Sequence, residues 1–238
     1  MRWLLVGPTV GLILAGAFSS ARCGEPPAQQ TTQVAGTVPD LVGRWLVVAE
    51  VEGPTKTEPA ATTAALWDVS APGGTIDVTR RQVGLPPDLK QAVERANKER
   101  THWEPSVRQL QDLRDTWQSL PPIDTGVGHV ETKVTGSDAF DSVMKGEERM
   151  KGARFIIQQI VDFLPGGGRP IKDVYIYGGL EERPDGWSGS YMSAGVAPSP
   201  VPIPITLNGT FRAYRLESIP QRGLLARILD VFSGCGRR

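Results

Sequence analysis

The chain is poor in the residues that build most catalytic and metal centres. Its 238 residues include two histidines and two cysteines. Neither His102 nor His129 has a neighbour at metal-ligand spacing, so no zinc set can be assembled from the sequence. Both read as surface residues, His102 in a break between helical segments and His129 on the polar side of a strand. No Gly-x-Ser-x-Gly elbow occurs, because Gly186-Trp187-Ser188-Gly189 has the wrong spacing. Gly166-Gly167-Gly168 leads into a strand pattern, which makes it a hairpin loop and not a phosphate cradle. Glu181-Glu182 also falls in a strand pattern, where adjacent side chains face opposite sides. These gaps predict a non-enzymatic protein with no metal and no cofactor. Constellations assembled in space, such as a dispersed Ser-His-Asp set or paired carboxylates, stay open.

A charge excess is missing as well. The 26 basic residues balance the 26 acidic ones, which removes the basic face that nucleic-acid binders present. No internal repeat of solenoid length is visible. The one long apolar run is at the start, from Trp3 to Phe18, behind Met1-Arg2 and ahead of Ser19-Ser20-Ala21. A positive charge, an apolar core and small residues at a cleavage point are the parts of a secretory signal peptide, residues 1-21. Pro8, Gly7, Gly11 and Gly16 make the run a poor membrane-spanning helix. Cys23 lies just past the apolar core, so lipidation there is a second reading, although Arg22 departs from the small residue such a site wants. A retained anchor is the third. All three readings predict export to the periplasm, the cell envelope or the outside.

Residues 22-37 are polar and rich in Pro, Gln and Thr, with no periodicity, and predict a flexible tether. The remainder, 38-238, is of single-domain size. Cys23 and Cys235 stand near its two ends, and in an exported chain they can pair. Closing so long a loop would contribute about 4–5 kcal/mol in the chain-entropy account.

Twenty-seven glycines and 20 prolines punctuate the chain into short elements. From Gly43 to Glu52, Trp45, Val47, Ala49 and Val51 alternate with Arg44, Glu50 and Glu52, a strand whose pattern Leu46 and Val48 blur. Strands are also predicted at 64-69, 75-83, around 130-134, and over 171-182, 187-196 and 203-216. The stretch 155-163 fits either period, and its β-branched residues favour strand. Between 86 and 120 the period changes. Leu89, Val93 and Ala96, then Val107, Leu110, Leu113 and Trp117, recur at helical spacing, so a helical hairpin is inserted between strands. Leu224, Leu225, Ile228, Leu229 and Phe232 predict a terminal amphipathic helix over 219-232, able to pack on its own domain or to lie on a membrane surface.

The expected fold is mainly β: an antiparallel barrel of about eight strands, with an inserted helical hairpin and a C-terminal helix. Asp40-Leu41-Val42-Gly43-Arg44-Trp45, at the head of the first strand, resembles the Gly-x-Trp opening of lipocalins. The resemblance implies that Trp45 plugs the closed end and that a basic residue near the end of the last strand packs on it. Arg212 and Arg215 are the two candidates. A divergent barrel or a sandwich would produce the same strand pattern. For function, one expectation is a barrel whose lumen, lined by Trp45, Tyr175, Tyr177, Trp187 and Tyr191, takes a small hydrophobic ligand. The same aromatics would also suit an ordinary sheet core. The other expectation is an accessory subunit of an envelope complex, with the tether, the hairpin and the terminal helix as contact surfaces.

Overall fold

A computed structural model describes residues 38–53, 58–123, 127–136, 148–163, 171–197 and 203–221. The signal peptide, the tether, both cysteines and the terminal helix beyond Gln221 lie outside the described residues.

Eight strands form one antiparallel sheet: β1 (Gly43–Glu52), β2 (Pro59–Ser70), β3 (Asp77–Arg80), β4 (Val127–Gly136), β5 (Phe155–Phe163), β6 (Ile171–Arg183), β7 (Gly186–Ala197) and β8 (Ile203–Arg215). Their order is β3-β2-β1-β8-β7-β6-β5-β4. Since β1 pairs with both β2 and β8, each strand sits beside its neighbour in sequence, and the sheet curls into a nearly closed barrel. β3 and β4 bound the remaining seam, which the Thr132 hydroxyl crosses by donating to the Val78 carbonyl at 3.1 Å.

The seam opens where the helical insertion leaves and returns. The insertion consists of α1 (Pro87–Glu99) and α2 (Val107–Thr116), followed by a 3-10 turn at Trp117–Ser119. Pro87 at the first turn suits a helix start, and Ser106 with Gln109 forms a reciprocal capping box on α2. At the neck, Gly84 N–H donates to the Pro121 carbonyl and Ile123 N–H to that of Gln82.

The helices explain why Leu46 and Val48 blur the first strand. That strand is buried on both faces. Trp45, Val47, Ala49 and Val51 point into the barrel with Trp67, Phe155, Tyr177, Trp187, Tyr191 and Phe211. Leu46, Val48, Leu66 and Tyr214 point outward and pack against Leu89, Leu110, Leu113 and Trp117 of the insertion, with Leu216 and Ile219. Arg114 and Gln111 tie α2 to that last segment by donating to the carbonyls of Ile219 (2.6 Å) and Pro220 (2.8 Å). Residues 219–221 are not helical. A smaller outer cluster, Met150, Ala153, Ile156 and Ile176, covers β5 and β6.

Two strands differ from their sequence patterns. β2 starts at Pro59, earlier than the alternation shows, and β3 is only Asp77–Arg80. Above the Trp67–Arg80 pair, the edge of β2 therefore has no strand beside it among the described residues. Asn97 of α1 takes that place. Its side-chain oxygen accepts from Thr62 N–H at 2.6 Å and its amide nitrogen donates to the Thr62 carbonyl at 2.9 Å. One side chain thus supplies the pair of hydrogen bonds that a neighbouring strand would have made.

Candidate functional site

The lumen has two ends of different character. The floor is at Trp45. Gly43 enters β1 with φ 142°, a conformation that glycine adopts without strain, and a Cβ there would lie 2.9 Å from Glu217 Oε2. Two residues on, the Trp45 indole N–H donates to the Leu41 carbonyl at 2.8 Å. Register places Arg215 directly opposite Trp45, and its guanidinium carbon lies 5.8 Å from the indole centroid. Arg215 also donates to Asp40 Oδ2 at 3.1 Å and to the Val42 carbonyl. Those contacts, the Arg215 hydrogen bond first and the Val42 N–H next, hold the Asp40 carboxyl below its usual range. Of the two basic residues that the sequence offers, Arg215 is the one on Trp45. Arg212 is out of phase with it by an odd number of residues and faces outward, 2.9 Å from Glu104.

Trp187 joins the floor, edge-on to Phe155 at 5.0 Å. Between Leu41, Trp45, Trp67, Phe155, Trp187 and Phe211 a cavity of about 20 Å³ remains, room for about one water. Organic ligands occupy pockets of about 300–1,000 Å³. Trp45 and Trp187 therefore form packing in this structure.

Toward the other end, the mouth, the inner wall becomes polar and aromatic. Alternation along β6 brings Tyr177, Tyr175 and Asp173 to the lumen face, and β7 adds Tyr191, Ser193 and Gly195. Tyr177 is central. It lies 4.8 Å from Trp67 and 5.5 Å from Phe211, both edge-on, and 5.2 Å from Tyr191. Burial raises the pKa of all three tyrosines. Tyr175 reaches about 12, chiefly through burial and next through the Asp173 charge. Tyr177 and Tyr191 are also raised, with burial first, and the positive charge of Arg80 opposes the rise in each.

Three inward groups at this level carry no sequence motif. Asp173 accepts from the Tyr175 hydroxyl at 3.4 Å and lies over Gly195, where any Cβ would collide with its carboxylate. Arg80 shares its face with Val78, stands opposite Trp67, and holds its guanidinium carbon 5.7 Å from the Tyr175 ring centroid. Gln159 pairs in register with Tyr175 on one side and Thr132 on the other. It is 0% exposed, yet neither Nε2 nor Oε1 has a hydrogen-bond partner among the described residues. A buried polar group left so costs about 1–3 kcal/mol.

Among the described residues, the strand ends at the mouth expose apolar side chains. β8 leaves β1 after Gly209 and continues upward against β7 alone. On the lumen face of that extension Ile205 and Leu207 are 39% and 43% exposed. Asp173, Tyr175 and Ser193 are half-buried, so solvent reaches the inner wall here.

Outside the barrel, His102 Nδ1 lies 2.8 Å from Glu50 Oε2, and the Trp103 N–H donates to the other oxygen of Glu50. His102 is thus a clasp between the insertion and β1. Among the described residues, no three His, Cys, Asp or Glu side chains gather as a metal site would require, and no helix is long and apolar enough to cross a membrane.

No protein-family model matches this chain, and neither does any curated protein or solved structure.

Proposed function

We propose that this protein is an exported, lipocalin-like barrel that binds a small, largely apolar ligand in its mouth and catalyses no reaction. The observation that carries the reading is the Gln159 amide. It is wholly buried, without a partner among the described residues, and set in the wall of the tyrosine cluster, on the same lumen face as the exposed Ile205 and Leu207. Binding sites combine an apolar lining with a few placed polar groups in this way, and a ligand oxygen or N–H that reaches Gln159 removes the cost of leaving it unpaired. Three features support the lipocalin likeness: the strand order, the packed Trp45 floor and Arg215 stacked on it. Export rests on residues 1-21, and the work is placed in the periplasm, the envelope or outside the cell.

The filled floor favours a second reading, an accessory subunit of an envelope complex that uses its outer surface. Around the insertion, however, the exposed large apolar side chains among the described residues are Val107 and Ile123, short of the contiguous patch that a docking face presents.

The test is titration of the mature protein with an uncharged fluorescent hydrophobe, N-phenyl-1-naphthylamine. Saturable binding to one site, weakened at least several-fold by Ile205→Glu with Leu207→Glu, is expected. Absence of saturable binding, or binding indifferent to those substitutions, overturns the reading in favour of the accessory subunit.

A further inference from the structure

Arg80 has a property that ligand binding in the mouth does not itself require. It is the last residue of β3 and half-buried, and it projects into the lumen from a position opposite Trp67. No carboxylate lies within ion-pair distance of it among the described residues, and its one defined contact is the face of Tyr175. Its neighbour Arg81 shows the contrast. That guanidinium faces the insertion, 3.6 Å from Asp68, and donates to the Trp117 carbonyl at 2.6 Å. Long basic side chains ordinarily carry their charge into open water. Arg80 instead holds a permanent cation on the face of Tyr175, a phenol that is neutral near neutral pH.

Asp173 is the carboxylate on the same lumen wall, and it is already engaged. The Tyr175 hydroxyl donates to it, and it rests on the bare backbone of Gly195. The Tyr175 ring therefore stands with Arg80 on its face and Asp173 at its hydroxyl. The cation is left free to take an anion from a ligand.

We propose that the mouth selects an anionic amphiphile, a single apolar chain ending in a carboxylate, with the carboxylate on Arg80 and the chain on the apolar inner face that Ile205 and Leu207 leave open. A guanidinium binds a carboxylate through charge-assisted, planar hydrogen bonds, and partial burial keeps that pair from being screened as a surface pair is. Gln159, across the strand pair from Tyr175, supplies an uncharged donor on the same wall. The inference rests on the ligand-binding reading above, and it adds the sign of the ligand's charge and the residue that reads it.

The experiment is isothermal titration of the mature protein with three chain-matched ligands: decanoate, decanol and decylammonium. It is repeated with Arg80→Met and Arg80→Lys. Decanoate is expected to bind about tenfold more tightly than decanol, as a charge-assisted contact gives. Arg80→Met should erase that preference, with an unchanged circular-dichroism spectrum and thermal midpoint reporting an intact fold. Arg80→Lys should restore part of it. Equal affinity for decanoate and decanol in the unaltered protein overturns this inference and leaves the ligand-binding reading standing. A preference for decylammonium overturns it and assigns recognition to Asp173. Binding of none of the three overturns both readings.

Discussion

Trp45 closes the lumen and anchors both chain segments that meet beneath it. Its indole bonds Leu41 and its face carries Arg215. Truncating so large a buried aromatic costs about 3–5 kcal/mol, and Trp45→Ala should lose that much in equilibrium denaturation. A loss below about 1 kcal/mol, well under the usual cavity cost, would show that the floor closes by other contacts. The tyrosines allow a second check. All four in the chain, Tyr175, Tyr177, Tyr191 and Tyr214, are raised above the ordinary value of 10.0, with burial as the first cause, and Tyr175 and Tyr214 reach about 12. The unfolded chain loses these protons first. Their contribution to stability is therefore whole below about pH 10 and lost as pH rises toward about 12. Near pH 10, where free tyrosine is about half ionised, the native protein should show little phenolate absorbance and the denatured protein about half of its full value. Equal absorbance in the two states would contradict the burial described. The aromatic residues were legible in the sequence, because alternation puts Tyr175 and Tyr177, and Trp187 and Tyr191, on one face each. Gln159 was not. It shares parity with Phe155, Ile157 and Val161, but Ile156 and Ile160 make the other face apolar too, and the pairing of β5 with β6 decides which face enters the barrel. Arg80 left a faint trace, since it shares parity with Val78, but a basic residue at a strand end ordinarily reads as solvated.

Among the elements, β2 and α1 form the joint on which the seam depends. Where β3 stops, the backbone of Thr62 would face outward unpaired, and edges of that kind invite pairing with other chains. Asn97 fills the place with two hydrogen bonds. Asn97→Ala should therefore cost about 1–3 kcal/mol, the range for leaving partly buried backbone groups unsatisfied, and should speed hydrogen exchange at the Thr62 amide. Asn97→Asp keeps the acceptor and loses the donor, so it should fall between the two. If Asn97→Ala exchanges at Thr62 as slowly as the parent chain, the helix does not serve as the missing strand. This joint could not be read from sequence. The helical spacing of Leu89, Val93 and Ala96 reveals that α1 has an apolar face, while Asn97 sits beside that face and looks like a solvated residue. The length of β3 was equally hidden, because Ile76 and Val78 continue an alternation that extends past the true ladder.

For the molecule as a whole, the division of the barrel into a packed floor and an open, polar-aromatic mouth is the claim on which the functional account stands. The number of strands and the place of the insertion follow from periodicity and from proline and glycine punctuation. Closure does not. A sandwich and a barrel share the same alternation, and only the pairing of β1 with β8 separates them. The proposed site in the mouth predicts that the histidines are dispensable for binding. His102 lies outside the barrel on Glu50, so changing His102 and His129 together should leave ligand affinity unaltered in the fluorescence titration. A folded double variant that no longer binds would place the chemistry elsewhere.

The most direct measurement is a nuclear magnetic resonance titration of the mature protein with decanoate, following tyrosine ring and tryptophan indole signals together. Ligand in the mouth predicts progressive, saturable shifts at Tyr175 and Tyr191, while the indole N–H of Trp45, held by the Leu41 carbonyl, stays in place. Shifts at Trp45 and Trp187 with the tyrosines unmoved would put the ligand in the floor and contradict the account.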